Sequence, residues 1–184
     1  MSVRSLALPL ALTSALAALA GCASVSGDAP AAAAPSPAAR PAPAATTSTP
    51  AFAAQADARA QLEQVLAKAK AQNRLALIVW GADWCHDSIA LARALDDPVV
   101  RPLVDAHYEV LFLDAGTPQS GQGRNLDLAA GLGVSDITGT PTAVVVGRDG
   151  RTLNADTARG WRNAASRSTA AIAAELAGFA GVSR

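Results

Sequence analysis

Leu75, Ala76, Leu77, Ile78, Val79 and Trp80, then Gly81, Ala82, Asp83, Trp84 and Cys85, then His86, Asp87 and Ser88, form the stretch that decides the fold. The continuous apolar run Leu75 to Trp80 is too short for an amphipathic helix and does not alternate, which is the pattern of a strand covered on both faces. Gly81 and Ala82 end it. From Ser88 to Leu95 the apolar residues Ile89, Leu91 and Leu95 resume helical spacing. Cys85 therefore falls where a buried strand hands over to a helix.

The rest of the chain repeats this alternation. Ala54 to Gln72, rich in Ala, Gln, Glu and Lys with Leu62, Val65 and Leu66 at helical spacing, predicts an amphipathic helix before the strand. Asp97 and Pro98 read as an N-cap and first-turn pair for a helix running to about Ala106, and Tyr108 to Leu113 as the next strand. Asp114 to Arg124 is rich in Gly, Gln, Ser and Pro and reads as a loop, with a short helix around Leu126 to Leu132 after it. Thr142 to Val146, a turn at Arg148, Asp149 and Gly150, and Arg151 to Leu153 predict a β-hairpin. Ala164 to Phe179, carrying Ile172, Leu176 and Phe179, predicts a closing helix. This order implies an α/β domain with a mixed central sheet and helices on both faces.

Composition narrows the function. The 184 residues suit one domain with accessories, and 15 basic against 15 acidic residues leave no electrostatic footprint for nucleic acid. The hydrophobic share of 51% is inflated by alanine in the first fifty residues. Cys22 and Cys85 are too few for a disulfide scaffold or a cysteine zinc cage, and the two histidines do not complete one; no metal and no cofactor is expected. Gly131 and Gly133 lack the rest of a phosphate-binding fingerprint. Trp80, Trp161 and His107 read as structural.

Arg4 followed by the apolar run Leu6 to Leu19 and small residues is the pattern of an export signal. Leu19, Ala20, Gly21 and Cys22 resemble the lipobox of bacterial lipoproteins. The resemblance implies a signal peptide over 1–21, removed, and a lipid on Cys22; cleavage elsewhere with Cys22 incidental is the alternative. Ala23 rather than Asp after the cysteine implies, by the same likeness, the outer membrane, with the domain in the cell envelope facing the periplasm. From Cys22 to residue 53 the chain is dominated by Ala, Pro, Ser and Thr and reads as a disordered tether before a domain over 54–184. Within it the Pro-rich stretch Ala23 to Pro50, about 28 residues at ~3.1 Å each, holds such a domain up to roughly 90 Å from the lipid.

Trp84, Cys85, His86, Asp87 and Ser88 directly after a buried strand, with Thr140 and Pro141 at the entry of the hairpin, resemble the thioredoxin fold and its active site. Ala82 to Cys85, Asp97 to Val99 and the Tyr108 to Asp114 strand are similar to periplasmic thioredoxin domains of the reductant-transfer type. The likeness runs from Ala54 to the C-terminus. It implies a cis peptide before Pro141, a Thr140 backbone offered to an extended partner, and Trp84 on the rim of the substrate groove. The sequence departs from the pattern at Ser88, where the second cysteine would stand, at Val79, where many members carry a buried acid, and at His86 and Asp87, where Gly-Pro is common. The site is of the Cys-x-x-Ser type.

A cysteine at a helix N-terminus has its thiolate favoured by unpaired N–H groups and the helix dipole. The Ser88 hydroxyl, three residues on, is placed to donate to the sulfur, a protonated His86 adds to the effect, and Asp87 opposes it. A serine cannot replace the intramolecular thiol that releases a mixed disulfide, so an internal dithiol cycle is excluded. Cys85, His86 and Ser88 are thus the candidate catalytic set, with Trp84, Thr140 and Pro141 for substrate. The expected partners are envelope proteins with thiols or disulfides, an external thiol reductant, and the membrane through the anchor. Monothiol exchange, isomerase-like or retaining a client, is one reading. A non-redox adaptor using the groove beside Pro141 is the other. A sulfenic acid sensor at Cys85 has no resolving thiol to support it.

Overall fold

The computed structural model describes residues 50–54 and 56–182. The stretches read as a signal peptide over 1–21, as a lipidated Cys22 and as a tether up to residue 49 lie outside the described residues. Helix α1, Ala58–Ala71, starts four residues later than its composition predicts, because the Asp57 carboxylate caps it by accepting from the Ala60 N–H at 2.8 Å.

Strand β1, Leu75–Gly81, is buried along its whole length and is the centre of the sheet. Helix α2, Ser88's helix, spans His86–Asp96, and α3 spans Arg101–His107. Strand β2, Tyr108–Asp114, runs parallel to β1 with Leu75 beside Tyr108 and Gly81 beside Asp114. The stretch 114–124 is not wholly loop: β3, Gly116–Thr117, and β4, Gln122–Gly123, pair as a small hairpin around Pro118–Ser120. Its turn uses Gly121 at φ 75°, a conformation glycine adopts without steric cost. Helix α4, Leu126–Gly131, follows, and strand β5, Thr142–Val146, pairs antiparallel with β1. Helix α5, Thr169–Ala180, closes the chain. The sheet order β2-β1-β5 is mixed.

The two-residue period of β1 divides the core into two layers. Leu75, Leu77 and Val79 pack with Leu91 and Leu95 of α2, Val104 of α3 and Ile172 and Leu176 of α5. Ala76, Ile78 and Trp80 pack with Leu62 and Ala69 of α1 and Leu128 of α4. Each fully buried large side chain among these contributes about 1.5–3 kcal/mol. Helices therefore cover both faces of the sheet.

Four further local expectations change. Asp97 ends α2 instead of starting α3: its carboxylate accepts from the Val99 N–H at 2.8 Å and its carbonyl from Val100 and Arg101, so 98–100 make a turn and α3 starts with Pro102 in its first turn. The hairpin's second strand is reduced to one bridge, Val146 to Thr152. The Asn154 side chain does the remaining pairing, accepting from Val145 N–H at 2.8 Å and donating to the Ala143 carbonyl at 2.9 Å. The closing helix begins at Thr169, capped by Ser168, and Ala158–Ser166 forms 3₁₀ turns broken at Asn163. Finally, Phe52, in the stretch read as tether, is 3% exposed and packs edge-on against Phe112, ring centroids 5.3 Å apart. Gly81 must lack a side chain there, since a Cβ would stand 2.3 Å from the Phe52 ring.

Candidate active site

Every backbone choice at the end of β1 serves to present Cys85. Asp83 ties the loop to the incoming chain, its carboxylate accepting from the N–H groups of Ala51 and Phe52 at 3.1 and 3.3 Å. Cys85 is the N-cap of α2 in an extended conformation, its own N–H donating to the Ala82 carbonyl at 3.0 Å. Its sulfur is half-buried. As a thiol, Sγ donates to the Thr140 carbonyl at 3.4 Å, across a chain separation of 55 residues. The Thr140–Pro141 peptide is cis.

Two hydroxyls flank this sulfur with nothing else to bind. Ser88 is fully buried and Thr140 is 7% exposed, yet neither Ser88 Oγ nor Thr140 Oγ1 has a hydrogen-bond partner. A buried hydroxyl left unpaired costs about 1–3 kcal/mol. Both are free to turn onto the sulfur once it loses its proton. Burial is the largest influence on the Cys85 thiol and pushes it up, but the Ser88 hydroxyl, the Thr140 hydroxyl and the N–H groups of Ser88 and Asp87 pull it down. The donors win, and the thiol lies below its ordinary value.

Of the other residues singled out by sequence, Trp84 is 55% exposed and its Nε1 donates to the Gly116 carbonyl at 3.2 Å. It borders an open groove of about 450 Å³ with Thr117, Gln122 and Arg124, the β3–β4 hairpin forming the far bank. His86 is exposed on the first turn. Asp87 is engaged structurally, accepting from the Ala165 N–H at 2.8 Å, which pins α2 to the 3₁₀ turns. Val79, fully buried, lies between Phe112 and Ala143 in the sheet, so apolar packing fills its surroundings. Trp161 is buried under the Arg167 guanidinium, 4.6 Å from the ring centroid. His107 ends α3. Among the described residues, no three His, Cys, Asp or Glu side chains gather as metal ligands, and no helix is long and apolar enough to cross a membrane.

One side chain at the site has no signal in the sequence. Arg162, 77 positions after Cys85 and next to a tryptophan that packs inward, lies with its guanidinium against Gly139 of the cis-proline loop; a Cβ on Gly139 would stand 3.3 Å from both Cζ and Nε.

Residues 57–147 match the family model described as thioredoxin-like. A solved disulphide isomerase from Xylella fastidiosa Temecula1 is 32% identical in sequence, with a TM-score of 0.61, the match covering 67% of this chain and 92% of that one. No curated protein matches the sequence.

Proposed function

This chain belongs to the thioredoxin-like family, and from that premise we propose that it exchanges thiols and disulfides through Cys85 alone, as a lipid-tethered protein of the cell envelope. One observation carries the reading: a half-exposed sulfur at the start of α2, lowered in pKa, touching Thr140 beside a cis proline, with a buried serine where a second thiol would stand. That the solved relative is a disulphide isomerase supports the same class of chemistry.

In the proposed step, the Cys85 thiolate attacks one sulfur of a client disulfide. A Cys85–client S–S bond forms, the client's S–S bond breaks, and the departing thiolate takes a proton from water. Nothing in the site holds a second thiol to reverse this at high effective concentration. Release then falls to the client's own second thiol, which makes the outcome isomerisation, or to an external thiol. Trp84, Thr140 and Pro141 hold the client backbone, and the Ser88 hydroxyl stabilises the thiolate. Cys22 carries the lipid that keeps the domain on the outer membrane, facing the periplasm.

A second reading, a non-redox adaptor that binds an extended segment in the same groove, is favoured by Val79, an apolar core residue at the position where many members of the family carry a buried acid. An envelope extract passed over the protein separates the two. Exchange predicts disulfide-linked adducts that vanish with Cys85→Ala, and capture unchanged by that substitution establishes the adaptor instead. Mass spectrometry of the mature N-terminus tests the tether: a diacylated or triacylated Cys22 is expected, and an unmodified Cys22 removes the anchor.

A further inference from the structure

The unexplained feature of the site is a cation. Arg162 Nε and Nη2 are buried without any acceptor, and Nη1 makes only a long contact, 3.4 Å, to Thr138 Oγ1. A guanidinium carries five N–H donors and stays charged, so dry unpaired donors on it are costly. Its counterparts are provided for: Arg124 has Asp114, Arg167 has Glu175, and Arg74 has Glu109. Among the described residues, no carboxylate pairs with Arg162. The charge nonetheless sits against Gly139, and the next residue, Thr140, touches the Cys85 sulfur. The cation thus lies against the residue that precedes the one whose carbonyl meets the sulfur.

We propose that Arg162 is a carboxylate subsite, reading a carboxylate on the molecule that exchanges with Cys85. The inference rests on the exchange reading above and deepens it by naming the chemistry of the partner. Arg162 is half-buried, so its fork meets the ligand by turning off Gly139 about its terminal torsions. That trades one weak hydroxyl contact for two charge-assisted bonds. The carboxylate has two sources: a small thiol acid that releases Cys85, or an acidic residue beside the client's cysteine. In the release step the incoming thiolate attacks the partner sulfur of the mixed disulfide. The new S–S bond joins thiol and partner, Cys85 leaves as thiolate with the electron pair, and the incoming thiol's proton goes to water.

The test uses the folded full-length protein with Cys85 labelled by an activated aromatic disulfide. Release is timed with 3-mercaptopropionate and with 2-mercaptoethanol, and in unlabelled protein the attack of the Cys85 thiolate on peptide disulfides carrying Asp or Asn beside the cysteine is timed. A preference of about tenfold for the carboxylate is expected in one arm, which identifies the source. The ratio falls toward one in Arg162→Gln, takes an intermediate value in Arg162→Lys, and falls in the unsubstituted protein as salt is raised. Ratios near one in both arms, or a preference that survives Arg162→Gln or high salt, overturn the subsite and leave the exchange reading standing. A Cys85 that takes no label overturns both.

Discussion

At the Leu75 end of β1, the Arg74 guanidinium donates to the carbonyls of Val104, Asp105 and Tyr108 and to the side chains of Gln72 and Glu109, with only its Nε left over. Lys68 closes the other side of Glu109 at 2.7 Å, and the Tyr108 hydroxyl donates to the Leu176 carbonyl at 2.6 Å. At the Gly81 end, the buried groups are left wanting: Ser88 Oγ, Thr140 Oγ1 and two nitrogens of Arg162 have no partner. Both ends close one strand, and both hold a half-buried arginine. In the first network every donor but one, Arg74 Nε, is used by the fold in joining β1, α3 and β2. The second keeps donors in reserve around a sulfur, and what they await is a charge that arrives with chemistry or with a ligand. Unsatisfied polar groups, more than cavities, mark the working end of this sheet. A cavity of about 480 Å³ lies at the Arg74 end, lined by charges already paired with one another.

The contrast breaks most visibly through Arg74→Ala. Removing it strips the main partner from Glu109, whose side chain is 10% exposed, and frees three carbonyls at once. A loss of about 3 kcal/mol in urea-denaturation stability is expected, with the pH profile of Cys85 alkylation unmoved. A loss under about 1 kcal/mol would make the network surface decoration and end the comparison.

What the sequence disclosed follows the same division. The buried strand, the Cys85 junction and the Thr140–Pro141 pair were legible because each is a local pattern: an apolar run, a strand-to-helix change, a proline before a strand. What it hid depends on distant partners. Phe52 reads as tether until Gly81 and Phe112 are seen to make room for its ring. Asn154 reads as a loop residue until its amide is seen completing the edge of β5. Asp97 has the chemistry of an N-cap, but Pro102 sets α3 three residues further on. Arg162 is invisible for the strongest reason: nothing within a few positions of it reports that the 3₁₀ turns return to Gly139. The unpaired hydroxyl of Ser88 lies between these cases, since its spacing from Cys85 is local while its full burial is not.

The smallest expected effect is also the sharpest, because it opposes stability to reactivity at one atom. Folding lowers the Cys85 thiol, so between the folded value and the ordinary one the unfolded chain holds a proton that the folded chain has lost. Stability therefore rises with pH across that window. Ser88→Ala removes the first of the contacts that lower the thiol; its pKa moves up, and the window narrows. At a pH below the folded value, a lost hydrogen bond to a charge, about 1.5 kcal/mol, cuts the thiolate fraction about tenfold. The thiolate that remains is about threefold more nucleophilic, so alkylation slows about threefold and its pH-rate inflection moves upward. In acid below the folded value, where the sulfur is a thiol and Ser88 Oγ has no partner to lose, the substitution costs no stability and relieves up to about 1–3 kcal/mol of unpaired hydroxyl. A stability loss comparable to that of Arg74→Ala would make the hydroxyl structural, and the two ends of β1 would then differ in degree only; an inflection that fails to rise would show that Ser88 does not reach the sulfur.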